Sequence, residues 1–137
     1  MSRSILLDTC AAIWIAHGDA LSPAAVEALA QVEDSGGVVA LSAITAWEVG
    51  LLASRGRIVL SRDPDVWFQD LLDLGLELVG LTPRILVASS YLPSCDLRDP
   101  ADRFLVSTAR AMKFDLMTRD SRILDYASAG HLTAIAC

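Results

Sequence analysis

Five acidic residues stand where chemistry is possible. In "ILLDTC" (5–10) three apolar residues run straight into Asp8, and a carboxylate at the edge of a core is costly unless something compensates it. Asp120 follows the apolar run "DLMT" (115–118) in the same way. Glu48, in "SAITAWEVGLLASRG", falls inside the apolar arc that Ile44, Trp47, Leu51 and Leu52 make at helical spacing. In "RDPADRFLVSTA", Asp99 reads as a helix N-cap and Pro100 as the first helical residue. Asp102 then shares a face with Leu105, Val106 and Ala109. Taken singly, Asp8, Asp99 and Asp120 need no more than a capping role at three helix starts. Asp102 also fits a capping box, and Glu48 a buried pair with an arginine. Taken together, two strand-end acids and two core-facing helical acids crowd negative charge into one crevice, which is repulsive without a cation. Ligation by oxygen alone points to Mg2+ or Mn2+.

Such residues need a scaffold, and the chain alternates short apolar runs with longer helical patterns, the signature of an α/β fold. The runs 4–7, 37–42, 76–80, 115–118 and 132–136 predict strands buried on both faces. Ser22 and Pro23 open a helix over 22–35, and a second runs from near Ser42 to Gly56. Further helices are expected over 63–75, 82–92, 99–114 and 120–130, with another opening at Asp8. Parallel sheets linked by helices bind ligands beyond the carboxyl ends of their strands, which is where Asp8 and Asp120 sit.

A length of 137 residues suits one domain spanning 1–137. Hydrophobic residues make up 53% of the chain, yet no apolar run approaches the ~18 residues of a membrane span. The opening "MSRSILLDTC" lacks the features of a secretory signal, so a cytoplasmic protein is expected. Cys10, Cys95 and Cys137 have no C-x-x-C spacing and read as small buried hydrophobes. His17 and His131 stand at no ligand spacing, and no Gly-rich loop follows a strand, which removes the usual nucleotide-binding readings.

The net charge of −6 argues against tight non-specific nucleic-acid binding. The charge is uneven, however. Residues 98–122 hold six of the eleven basic side chains against four acids, so this stretch is +2 and the remainder −8. Within it Arg98, Arg103, Arg119 and Arg122 lie beside the acidic motifs and suit phosphate contacts, Arg103 foremost because it adjoins Asp102; a solvated helix face is the alternative. Trp14, Trp47 and Trp67 stand in apolar helical contexts and read as core or interface residues rather than base-stacking platforms.

The segments "ILLDTCAAIW", "LSAITAWEVG", "LRDPADRFLVSTA" and "LMTRD", in this order, resemble the motifs of PIN-domain ribonucleases, specifically the VapC-like toxins of bacterial toxin–antitoxin pairs. "GRIVLSRDPDVWFQDLL" extends the likeness to nearly the whole chain. The resemblance implies a three-layer α/β/α sandwich around a parallel sheet of four or five strands, and Mg2+- or Mn2+-dependent RNA hydrolysis by a carboxylate cluster. By position that cluster is Asp8, Glu48, Asp102 and Asp120, with Asp99 as an additional member and Thr9 and Thr118 as polar neighbours. It also implies a cognate antitoxin and a homodimer. Two positions depart from the pattern: Cys10 stands where many members carry His, and "SCDL" (94–97) where a His is common. The competing expectation is a non-catalytic α/β interaction module, or a receiver-type domain, whose acids serve as helix caps.

Overall fold

The computed structural model describes residues 2–137. The chain runs β1 (Ile5–Leu7), α1 (Thr9–His17), α2 (Pro23–Ser35), β2 (Val39–Ser42), α3 (Ala43–Ser54), α4 (Pro64–Asp73) and β3 (Glu77–Val79). It continues through α5 (Pro83–Ala88), α6 (Pro100–Met112), β4 (Asp115–Thr118), α7 (Ser121–Ser128) and β5 (Ala134–Ala136). All pairings are parallel, in the order β3-β2-β1-β4-β5, with Leu7 opposite Leu41 on one side and Met117 on the other.

Strand alternation divides the core into two layers. Ile5, Leu7, Leu41 and Met117 point to one face, where α1, α2 and α4 cover them through Ala11, Ala28, Val32, Trp67 and Phe68. Leu6, Ala40 and Leu116 point to the other, under Leu105, Val106 and Ala109 of α6 and Ile123 of α7. This is the expected α/β/α sandwich with a five-stranded sheet. Its helices start where the sequence carries caps: Ser22 accepts from Ala25 N–H, Thr82 from Ile85 N–H, and prolines occupy the first turns of α2, α4, α5 and α6. At the turn into β2, Gly37 lies so close to the first residues of the chain that a Cβ there would stand 1.7 Å from the Arg3 carbonyl oxygen. Only glycine fits that approach.

Several expectations need correction. Burial on both faces holds for the central strands β1, β2 and β4, but β3 is an edge, with Glu77 exposed and Leu78 53% exposed. The helix expected over 82–92 ends at Ala88, because the chain tightens into three-residue turns (Ser90 N–H to Val87 O, Tyr91 N–H to Ala88 O) ahead of Pro93, which disfavours helix in the residue before it. On α3 the buried face is Ile44, Thr45 and Val49 rather than the arc of Ile44, Trp47, Leu51 and Leu52; Trp47, at one end of that arc, is 59% exposed and no core residue. Trp67 is core as expected, while Trp14 is half-buried. Among the cysteines only Cys137 is fully buried, and Cys10 is exposed. No helix among the described residues is long and apolar enough to cross a membrane.

Candidate active site

The strand order places β2 and β3 to one side of β1, and β4 and β5 to the other, so the chain reverses direction across the sheet between β1 and β4. At such a switch point the loops leaving neighbouring strands part and open a crevice. Asp8 leaves β1 there. Its N–H still donates to the Met117 carbonyl at 3.0 Å, and its Oδ1 accepts from Ala11 N–H at 2.7 Å as the N-cap of α1. Asp120 leaves β4 beside it. The Asp120 N–H donates to Thr118 Oγ1 at 3.0 Å, and its Oδ1 accepts from Arg122 N–H at 2.8 Å as the N-cap of α7. Asp99 caps α6, its Oδ1 accepting from Ala101 N–H at 2.9 Å. All three are therefore caps, and each caps through Oδ1.

Capping does not account for the other two acids. Glu48 lies two turns into α3, and no arginine pairs with it among the described residues. Instead Thr9 Oγ1 donates to Glu48 Oε1 at 2.5 Å, and Thr45 Oγ1 stands 3.1 Å from the same Thr9 hydroxyl. Asp102 projects from the first turn of α6, one turn before the buried Leu105. Asp8, Glu48, Asp102 and Asp120 line a single cleft of about 200 Å³, with Thr9, Cys10, Trp14, Leu105 and Arg119 completing its walls. Asp99 is not part of that lining, but its charge acts on both Glu48 and Asp102.

The cleft is electrostatically strained. Burial raises the pKa of Asp8, with Asp120 adding to the effect, while the Thr118 hydroxyl, Ala11 N–H and Arg119 oppose it. Burial also raises Glu48, against the hydrogen bond from Thr9 and with the charges of Asp99 and Asp8. Asp102 is pushed up to about 7, first by burial and then by Asp99, Asp120, Glu48 and Asp8, and no donor among the described residues offsets them. The thiol of Cys10, ringed by the same four cleft carboxylates, is pushed up to about 11 by partial burial and their charges, so it stays protonated at neutral pH.

No lysine or arginine forms an ion pair with these carboxylates among the described residues, and Arg119 is the one cation on the cleft wall. The carboxylate ion pairs among the described residues, Arg3–Asp115 and Arg62–Asp70, lie elsewhere. The donor set is all hard oxygen, which suits Mg2+ or Mn2+. No three His, Cys, Asp or Glu side chains among the described residues converge into a ready-made ligand cage. That is compatible with a small divalent ion, which keeps several of its waters and needs only one or two direct carboxylates. The residues fit such an ion, with the carboxylates of Asp8, Glu48, Asp102 and Asp120 available to it directly or through water.

The four arginines expected to meet phosphate are not equivalent. Arg119 is on the cleft wall, its guanidinium 3.7 Å from the centre of the Trp14 ring and held by the carbonyls of Cys137 (2.7 Å) and Ala20 (3.0 Å). Arg98 is exposed beside Asp99. Arg122 lines a different cavity of about 540 Å³ between α7 and residues 94–96. Arg103, placed foremost on sequence grounds, is committed internally: it donates to the carbonyls of Ser89 (2.9 Å) and Leu97 (2.7 Å) and reaches Cys95 Sγ at 3.5 Å. It adjoins Asp102 in sequence but follows it by about 100° around the helix, toward the segment before α6. Its role is to fasten that segment.

Of the two threonines expected beside the acids, Thr9 donates its hydroxyl to Glu48, and Thr118 Oγ1 accepts from Asp120 N–H and lowers the Asp8 pKa. Thr45, Cys10 and Trp14 were not assigned to the site on sequence grounds. A signal existed for Thr45, three residues before Glu48 on the same helical face, and for Trp14, four residues after Cys10 on α1.

The PIN domain family model matches residues 5–129. Among curated proteins, Ribonuclease VapC22 of Mycobacterium tuberculosis (strain ATCC 25618 / H37Rv) is 34% identical over 121 residues, 88% of this chain and 89% of that protein. Among solved structures, VapBC2 from Rickettsia felis bound to a promoter DNA fragment superposes with a TM-score of 0.67 at 15% identity, over 98% of each chain. DNA-bound VapBC from Salmonella typhimurium follows at 0.65 and 13%, covering 99% of this chain and 98% of that one. These two structures share the fold. Together with the family match and the curated relative, the four acids gathered at the switch point of a parallel sheet establish that this chain belongs to the PIN-domain family, among its VapC-like members.

Proposed function

We propose that this chain is a metal-dependent endoribonuclease, the toxin of a toxin–antitoxin pair, which hydrolyses RNA phosphodiesters with Mg2+ or Mn2+ held by Asp8, Glu48, Asp102 and Asp120. One observation carries the reading: four carboxylates from four separate segments line one cleft that holds a single arginine, and none of them is in an ion pair among the described residues. Helix capping explains Asp8, Asp99 and Asp120 but leaves Glu48 and Asp102 without a reason to be half-buried beside them. The 34% identity to a protein named as a ribonuclease supports RNA as the substrate. The likeness to VapBC assemblies supports an antitoxin partner. A homodimer and a cytoplasmic location belong to the same reading.

Held by these carboxylates, a divalent ion would supply orientation of the scissile phosphate, a lowered pKa for water and neutralisation of charge on the leaving oxygen. The chain's own residues prepare that chemistry. Asp8 is the most buried of the four and its Oδ1 is fixed by Ala11 N–H, so its carboxylate would be the most firmly held of the ligands. Glu48 is oriented by Thr9 through one oxygen. Asp102, which no donor among the described residues reaches, would accept a hydrogen bond from the attacking water. Arg119, held over the Trp14 ring, supplies the positive charge on the cleft wall for an RNA phosphate.

The test is cleavage of total RNA by purified protein with Mn2+ or Mg2+, beside an EDTA control and the Asp8→Asn variant. Asparagine keeps the shape and the Oδ1 cap but removes the anion, so discrete metal-dependent fragments are expected from the wild type and none from the variant. Equal turnover in a folded Asp8→Asn variant would falsify the assignment.

A further inference from the structure

We propose that Thr45, a buried residue with no access to the cleft, is a positioning residue for the site: its hydroxyl directs the Thr9 proton onto Glu48 and so fixes the orientation in which Glu48 meets the cation. The inference rests on the metal-site reading above and assigns a task to a side chain that reading does not use.

The argument is one of proton counting. Thr9 Oγ1 has a single proton and two neighbours, Glu48 Oε1 at 2.5 Å and Thr45 Oγ1 at 3.1 Å. An ionised carboxylate only accepts, and a 2.5 Å oxygen–oxygen contact lies in the range of a charge-assisted bond, so the Thr9 proton goes to Glu48. Thr9 then has only lone pairs to offer Thr45, and Thr45 must be the donor. The chain of hydroxyls therefore runs in one direction, Thr45 to Thr9 to Glu48. If Thr45 could not donate, the Thr9 hydroxyl would be held by its bond to Glu48 alone.

Placement makes this device rigid. Thr45 is 0% exposed in the first turn of α3, where Ser42 caps the helix by accepting from Ile44 N–H at 3.1 Å. Glu48 follows three residues later on the same face. Thr9 is the first residue of α1, directly after Asp8, so the two hydroxyls join the helices that carry two of the four cleft acids. Because Thr9 engages Oε1, Oε2 is the oxygen left for a cation or its water.

The test compares Mn2+ affinity, read from the electron paramagnetic resonance signal of free Mn2+, in the wild type, Thr45→Ser, Thr45→Val and Thr9→Val, and in the Thr9→Val/Thr45→Val double variant. Valine preserves volume and removes the donor; serine keeps the donor. Loss of one hydrogen bond predicts affinity about fivefold weaker in Thr45→Val and within about twofold of wild type in Thr45→Ser. In the Thr9→Val background, where nothing is left to direct, Thr45→Val is expected to have no further effect. Should Thr45→Val fail to fold by far-UV circular dichroism, Thr45→Ala removes the same donor without bulk on the neighbouring helix. Wild-type affinity in a folded Thr45→Val or Thr45→Ala variant overturns the proposal, as does an effect that adds fully to that of Thr9→Val. A wild-type protein that binds no Mn2+ refutes the metal-site reading itself, and this inference with it.

Discussion

Asp102 offers the sharpest test of the cleft's electrostatics, because its carboxyl is held at about 7 against an ordinary 3.8. A carboxyl that keeps its proton more tightly in the folded than in the unfolded state makes the fold lose stability as pH rises between the two values. The metal-free protein therefore bears no cost from Asp102 below about pH 4, a growing one through pH 5 and 6, and the full cost above 7. At about 1.36 kcal/mol per pKa unit the whole displacement is worth ~4 kcal/mol. Solvent reaches this half-buried side chain and screens its neighbours, so about 1–2 kcal/mol is the expected net cost at pH 8. Asp102→Asn removes the charge and keeps the shape. Thermal unfolding followed by circular dichroism in EDTA should show the variant melting roughly 3–8 °C above wild type at pH 8, with the gap closing as pH falls toward 4. Mn2+ should narrow the gap: at about a hundredfold its dissociation constant it stabilises the wild type by about 2.7 kcal/mol, and the variant, short of one anionic neighbour, by less. A variant that melts at or below the wild-type temperature at pH 8 in EDTA refutes the picture of four mutually repelling carboxylates.

Other residues separate structural from functional roles. Arg103→Ala removes the donors that hold the Ser89 and Leu97 carbonyls and should destabilise the fold by ~2 kcal/mol in urea unfolding, leaving the salt dependence of RNA binding as it was. Arg119→Ala, placed in the cleavage-silent Asp8→Asn background, should lower the slope of log affinity against log salt by about 1; an unchanged slope removes Arg119 from the phosphate contacts. Gly37→Ala should cost about 2–3 kcal/mol, since its Cβ has to displace backbone rather than a flexible side chain, and a melting temperature equal to wild type would show that this close approach relaxes freely.

Local chemistry made much of this protein legible in its sequence. Alternating apolar runs and helical patterns place every strand within a few residues, and Ser22, Thr82, Asp99 and Asp120 mark their helix starts because a cap is a contact between residues two or three positions apart. The acids of the cleft stand out for the same reason: each contradicts the pattern of its own segment, Asp8 ending an apolar run and Glu48 interrupting an apolar helix face. What periodicity could not supply was direction in space. The exposure of Trp47, the edge position of β3 and the internal use of Arg103 depend on which faces of helix and sheet find partners, and those partners lie many residues away. The order β3-β2-β1-β4-β5 likewise follows from packing between distant segments, and it is this order that brings Asp8, Glu48, Asp102 and Asp120 to one cleft and sets Thr45 behind them. The sequence determined which residues are chemically out of place in their segments; the tertiary structure decided that they are out of place together, because their mutual repulsion exists only once the sheet has assembled.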